Sequence, residues 1–188
     1  MTDLGYFESE NLILRPIDKE DAEAIFQYIN LPKLCDRRYI PIHDEKIRLT
    51  KDDVLEVIEK WLKKKKGLVF AIILRSNHEM IGHTDFDWGW DPHCPSLSIL
   101  IKPHFQSKGF GTEVMKLALK YIFENTVAHV ISFWTTEWNT QAVSFLEKFH
   151  FNRCGSFRRV GIRNGEYVNL VIYDLLRTEW VEKFLEVA

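Results

Sequence analysis

Three strand patterns follow one another between Leu68 and Ile101 with no helix among them, and this run limits the folds open to the chain most sharply. Leu68 to Leu74 is a continuous apolar stretch. Arg75 to Glu79 is turn material, and Met80 to Trp88 follows as a second strand, so the two read as a hairpin. A loop from Gly89 to Pro95 leads to a third strand, Leu97 to Ile101, which Pro103 ends. A fully parallel, doubly wound sheet would put a helix between successive strands, so that architecture is excluded. After this meander the periods alternate. Residues 109–124 suit a mostly apolar helix, and His129 to Thr135 a β-branched and aromatic strand. Ala142, Phe145, Leu146 and Phe149 form a helical stripe, and Phe151 to Ile162, a turn at Arg163 to Glu166, and Tyr167 to Leu175 form a closing hairpin. Ahead of the meander, Asn11 to Pro16 reads as a strand. Asp18 caps a helix striped with Ala24, Ile25, Tyr28 and Ile29. Thr50 and Asp53 open another, striped with Val54, Val57, Ile58, Trp61 and Leu62. Residues 31–49 read as irregular. The order is β-α-α-β-β-β-α-β-α-β-β, a mixed α/β (α+β) fold in a single domain over residues 1–188.

Composition narrows the functional classes. With 46% hydrophobic residues and a net charge of -2, the chain carries a core but no basic field to attract nucleic acid or an anionic membrane. The cysteines, Cys35, Cys94 and Cys154, are odd in number and widely spaced, which argues against a disulfide framework and fits a reducing cytoplasm. Cys94 and Cys154 read as buried small hydrophobes. The opening residues have neither a basic n-region nor an apolar h-region, and no apolar run approaches the ~20 residues of a spanning helix. His93 and His104 lie in loops with no ligand spacing, so no metal site is expected. The run Lys63 to Lys66 is either an interaction patch or a solvated helix end.

The chemistry is concentrated in Ile99-Leu100-Ile101-Lys102-Pro103-His104-Phe105-Gln106-Ser107-Lys108-Gly109-Phe110-Gly111-Thr112. A buried strand ends, a short loop follows, and glycines open a helix. The amides of a helix N-terminus lack partners and the dipole there favours anions. Gly109 and Gly111 let backbone approach a phosphate closely, and Lys108 adds charge. The pattern suits a pyrophosphate site or simply a tight turn. A P-loop and a Rossmann fingerprint are both absent.

Gln106-Ser107-Lys108-Gly109-Phe110-Gly111 resembles the Gln/Arg-x-x-Gly-x-Gly/Ala motif of the GNAT superfamily of N-acetyltransferases. Asn139-Thr140-Gln141-Ala142 through Glu147-Lys148-Phe149-His150-Phe151 is similar to that family's second segment. Asn164 to Tyr167 with Tyr173 to Trp180, and the opening Leu12 to Pro16, are similar to the ribosomal-protein N-terminal acetyltransferase subgroup. The resemblance spans nearly the whole chain. It implies a mostly antiparallel sheet of about seven strands, flanked by helices, in which acetyl-CoA lies between two splayed parallel strands. Those should be Leu97 to Ile101 and His129 to Thr135. It implies that the backbone of Ile99, Leu100 and Ile101 binds the pantetheine arm and that the amides from Gln106 through Ser107, Lys108, Gly109, Phe110 and Gly111 to Thr112 cradle the pyrophosphate. Asn139 would hold the pantetheine arm, cap its helix, or do both. Phe145 lines the channel or belongs to the core.

The chain also departs from its relatives. Many carry a Tyr acid where this chain has Leu146, and the subgroup often has Ser and Glu where Ala142 and Cys154 stand. Ser96 and Asn169 replace acids, and His150 replaces a glycine. Strand alternation puts Ile81, His83, Asp85 and Asp87 on one face, so His83 and Asp85 are candidate base and orienter, or else a solvated polar row. Asp85, Asp87 and Asp91 would suit a cationic acceptor. The Trp88-Gly89-Trp90 cluster gates a pocket or packs as a lid. The expected activity is transfer of an acetyl group to an amine, on a peptide N-terminus or on a small amine such as a polyamine or aminoglycoside. A non-catalytic acyl-CoA-binding module is the competing reading. Exposed edges of the closing hairpin offer a route to a homodimer. Arg37-Arg38 or the Lys63 to Lys66 run could meet a phosphate of CoA or an acidic partner.

Overall fold

The computed structural model describes residues 7–35, 48–89, 91–163 and 165–184. Expectations about Arg37, Arg38, Trp90, Asn164 and the side chain of Cys35 therefore fall outside the described residues.

Among the described residues eight strands form one sheet: β1 (Phe7–Glu8), β2 (Leu12–Pro16), β3 (Gly67–Leu74), β4 (Met80–Asp87), β5 (Ser96–Ile101), β6 (Val130–Thr136), β7 (Asn152–Arg163) and β8 (Glu166–Leu176). Their order across the sheet is β1-β2-β3-β4-β5-β6-β8-β7. Every neighbouring pair is antiparallel except β5 and β6, which run parallel and meet at a single register pair, Ser96 with Ser132. From there the two strands diverge, as expected of the splayed pair. β1 is one strand more than the seven anticipated, because two residues carry no alternation to read.

The helices are α1 (Ala22–Ile29), α2 (Pro32–Cys35), α3 (Lys51–Leu62), α4 (Phe110–Asn125), α5 (Thr140–Lys148) and α6 (Arg177–Phe184). The sequence reading had residues 31–49 irregular and no final helix; α2 and α6 correct both points. Side chains cap both anticipated places, but the first cap closes a 3₁₀ turn and not α1, whose N-cap, Asp21, makes no side-chain cap bond. Asp18 and Asp21 form a capping box around a 3₁₀ turn (Lys19–Asp21) ahead of α1, and Thr50 and Asp53 form another at α3.

Two apolar clusters sit on opposite faces of the sheet. Ile25, Tyr28 and Ile29 of α1 and Val54 and Ile58 of α3 pack on Val69, Ala71 and Ile73. The other cluster joins Val114, Met115 and Leu119 of α4 and Leu146 of α5 to Leu12, Phe70, Ile131 and Tyr173. Leu62, expected in the α3 stripe, is exposed at the helix end.

Alternation along β4 breaks at a bulge. Ile72 pairs with Gly82 and Ile73 with Met80, so Ile81 is an extra residue. Ile81 therefore packs with Phe86 in the α4 cluster and not on the face of His83. A Cβ on Gly82 would sit 2.0 Å from the Leu100 carbonyl oxygen, so only glycine fits at that step. The cysteines differ from expectation as well. Cys154 is exposed and Cys94 half-buried, because β7 is the last strand of the sheet and Cys94 lies in the loop before β5.

Candidate functional site

The divergence of β5 from β6 opens a cleft of about 570 Å³. Ile99, Leu100, Ile101, Gln106, Ser107, Gly109, Gly111, Thr112, Asn139 and Phe145 all line it, ten of the twelve residues the sequence had assigned to a cofactor. Lys108 and Phe110 are not on its wall. The Lys108 ammonium lies 5.4 Å from the centre of the Phe105 ring, and Phe110 packs against the main core.

The turn into α4 is shaped by two left-handed residues, Ser107 (φ 60°) and Gly109 (φ 93°), the latter being the N-cap. Thr112 and Glu113 donate their amides back to the Gly109 carbonyl, which starts the helix. Gln106 donates from its side-chain amide to the Ile101 carbonyl at 2.8 Å, tying the loop to the end of β5. The two motif glycines differ in kind. Gly109 requires its positive φ, whereas a Cβ on Gly111 would meet Phe145 at 3.6 Å, an ordinary contact.

Asn139 caps α5 by accepting from the Ala142 amide at 3.4 Å, and donates to the Thr135 hydroxyl at 3.3 Å. Phe145 packs on Phe149 with ring centres 5.1 Å apart while facing the cleft. Leu146, where relatives place a Tyr acid, is fully buried in the core. His150 holds φ 61°, the left-handed conformation that favours the family's glycine.

On the other face of the sheet, His83 is buried and lines the cleft. Its Nδ1 lies 2.7 Å from the Tyr28 hydroxyl, and its ring centre 5.1 Å from that of Trp61. Burial, reinforced by the charge of Asp21, pushes the Tyr28 phenol far above its usual range, so it stays protonated. Asp85 is not on the cleft wall. Its carboxylate accepts from Lys64 at 3.2 and 3.4 Å, and Lys64 also reaches Asp87 at 2.9 Å. Burial raises the Asp85 carboxyl, an effect that Lys64 opposes only in part. For Asp87, burial also pushes up, but hydrogen bonds from Lys64 and the Gly89 amide and the Lys64 charge outweigh it, and the net shift is downward. Lys64 is therefore neither a solvated helix end nor an interaction patch. Asp91 accepts from the His93 amide and ring. Sequence reasoning had placed Tyr28 only in an apolar stripe, had read Lys64 only as part of a lysine run, and gave Thr136 no role. A buried Tyr amid aliphatics was the one available signal, since a phenol in a core needs a partner.

Among the described residues no cluster of three or more His, Cys, Asp or Glu side chains could hold a metal, and no helix is long and apolar enough to cross a membrane.

A cleft between splayed parallel strands, closed by a glycine turn at a helix start, is the arrangement that the resemblance to CoA-dependent acetyltransferases implied, and the comparisons agree. The acetyltransferase (GNAT) domain family matches residues 11–152, well over half of the chain. An uncharacterized N-acetyltransferase of Bacillus subtilis (strain 168), YnaD, is 24% identical over 93% of this chain and 99% of its own length. A Bacillus anthracis acetyltransferase of the GNAT family superposes with a TM-score of 0.79 at 24% identity, over 93% of this chain and 100% of that one. A Vibrio cholerae spermidine N-acetyltransferase, solved with CoA and spermine, superposes with a TM-score of 0.80 at 21% identity, over 92% and 99%. The chain belongs to the GNAT family of N-acetyltransferases and is an acyltransferase, with acetyl-CoA as the family's cosubstrate.

Proposed function

We propose that the protein acetylates the α-amine of a peptide or protein N-terminus, as in the ribosomal-protein-like subgroup. The observation that carries this reading is the charge of the cleft. Among the described residues its wall has no carboxylate, and the nearby Asp85 and Asp87 are engaged by Lys64. A polyamine carries several positive charges and would want unengaged acids. A peptide terminus presents a single amine that can lose its proton before attack.

The cosubstrate roles follow the wall residues. Backbone of Ile99, Leu100 and Ile101 would bind the pantetheine arm. Amides from Gln106 and Ser107 through Gly109 and Gly111 to Thr112 would cradle the pyrophosphate at the α4 N-terminus, with Lys108 and Phe110 supporting that turn from outside the wall. Asn139 would add its side chain and Phe145 an apolar surface. Acetyl-CoA supplies the thioester. For the chemistry, we take the Tyr28–His83 hydrogen bond, whose direction follows the imidazole tautomer, with the protonated phenol as donor to Nδ1, which puts the neutral ring's proton on Nε2. His83 so serves as a donor to developing negative charge, a role that departs from the base expected from sequence. Asp85, expected as the orienter, is off the wall and bonded to Lys64, so solvent carries the amine's proton away.

The second reading is a small-amine substrate, favoured by the fold's likeness to the Vibrio cholerae spermidine enzyme. The proposal also includes a cytoplasmic location, no contact with nucleic acid or membrane, and a homodimer. The dimer is supported by the exposed apolar side chains of Trp134, Phe157 and Leu176. The deciding experiment incubates the protein with acetyl-CoA and a pool of N-terminal peptides, polyamines, aminoglycosides and amino acids, read by mass spectrometry. One added acetyl on a peptide α-amine is expected. Acetylation of spermidine with peptides untouched would replace this reading with the second.

A further inference from the structure

Thr135 and Thr136 are adjacent and both buried, yet they are used differently. The Thr135 hydroxyl accepts from Asn139, whereas the Thr136 hydroxyl oxygen is the one buried side-chain polar atom without a hydrogen-bond partner among the described residues. Thr136 is 1% exposed and lines the cleft. A buried hydroxyl without a partner is unfavourable, and a site that keeps one invites a ligand to satisfy it.

Strand geometry says which end of the cleft it serves. β5 and β6 are parallel and meet at Ser96 and Ser132, so four residues further along each strand Leu100 stands opposite Thr136. Leu100 pairs with His83 on β4. Alternation puts His83, Leu100 and Thr136 on one face of the sheet, while α4 and α5, which carry the glycine turn and Asn139, lie on the other. Thr136 thus sits beyond the cosubstrate half of the cleft, between the apolar Trp134 and Leu170.

Resting on the acyl-acceptor reading above, we infer that the Thr136 hydroxyl is the hydrogen-bond partner of the incoming amine, a specificity-determining group for the acceptor and not for acetyl-CoA. A hydroxyl accepts from an amine N–H without demanding a charge.

Two variants test this, Thr136→Val, which keeps the shape, and Thr136→Ser, which keeps the hydroxyl. The probes are a tetrapeptide with a free α-amine and spermidine, with CoA release as readout. For whichever probe the wild type acetylates, Thr136→Val should lose about tenfold in kcat/KM, mainly through KM, and Thr136→Ser should stay near wild type. Thr136→Val should bind acetyl-CoA with wild-type affinity by calorimetry and melt at or above the wild-type temperature, since it removes an unsatisfied group. Unchanged acceptor kinetics, a lower melting temperature or weakened acetyl-CoA binding would each overturn the inference. Acetylation of neither probe would count against the acceptor reading alone. Calorimetric titration of each probe into the CoA complex would then decide for Thr136, with binding to wild type weakened about tenfold in Thr136→Val supporting it and equal or absent binding overturning it.

Discussion

The glycines of a motif need not share a job. Gly109 has φ 93° at the N-cap of α4, and a side chain there is strained whatever space surrounds it. Gly111 lies in ordinary helical backbone, with Phe145 at 3.6 Å from where its Cβ would be. Gly109→Ala is expected to cost about 1–2 kcal/mol of stability and to weaken acetyl-CoA binding by displacing the loop amides. Gly111→Ala should fold normally and bind acetyl-CoA within a few-fold of wild type. Calorimetric titration of both variants against acetyl-CoA checks this; equal losses would mean that the loop needs both glycines for the same reason. Gly82 makes a third case, with no positive φ. A Cβ 2.0 Å from a backbone oxygen must part β4 from β5, so Gly82→Ala should leave little folded protein by circular dichroism.

At the scale of elements, Lys64 fastens the end of α3 to β4. One ammonium serves Asp85 at 3.2 Å and Asp87 at 2.9 Å, with only 24% of its side chain exposed. Lys64→Met leaves two neighbouring carboxylates without a counter-charge and should lower stability at pH 7 by about 1–2 kcal/mol. The pH dependence has a definite sign. Asp87 is lowered in the fold, so its contribution is complete above the ordinary carboxylate range and disappears as pH falls through its folded value. Asp85 is raised, so the fold binds its proton more tightly than the unfolded chain does. Its contribution falls as pH climbs from the ordinary value to the raised one. In the variant both acids lose the cation that favours ionisation, and protonation relieves them. Its deficit should therefore shrink on acidification, which urea unfolding at pH 7 and pH 4 measures. An equal deficit at both pH values would mean that Lys64 acts through packing alone.

Over the whole molecule, the sheet divides into a half covered on both faces and a half that is not. α1 and α3 cover β3 and β4 on one side. Further across, Trp134, Phe157 and Leu176 remain exposed, with the Trp134 and Phe157 rings 5.6 Å apart. β7 carries register shifts at Arg153/Gly155 and Phe157/Gly161, which bend its edge away from regular strand pairing. If two chains associate, this face is the place for it and not the edge. Light scattering at micromolar concentration should give twice the mass of one chain, and Trp134→Ser with Phe157→Ser should return it to one. A wild type with the mass of one chain would remove the homodimer from the proposal.

Most of the architecture was legible in the order of residues, because hydrophobic period and caps are local. The three consecutive strands, the capping boxes at Asp18 and Thr50, and the turn from Gln106 to Thr112 all act between residues a few positions apart. The sequence therefore determined the mixed sheet and the glycine turn, its matched motifs led to the family, and the resemblance implied the splayed pair and the wall residues. What it left open depends on residues brought together from afar. Tyr28 meets His83 across 55 positions, and Lys64 meets Asp85 across 21. Ile81 changed faces because a bulge depends on the partner strand, and Cys154 was exposed because only the sheet order makes β7 an edge. Thr135 and Thr136 are indistinguishable in the sequence. Only the tertiary structure gives one hydroxyl a partner and leaves the other facing the cleft, because satisfying a buried polar group depends on which atoms the whole fold places within hydrogen-bond reach.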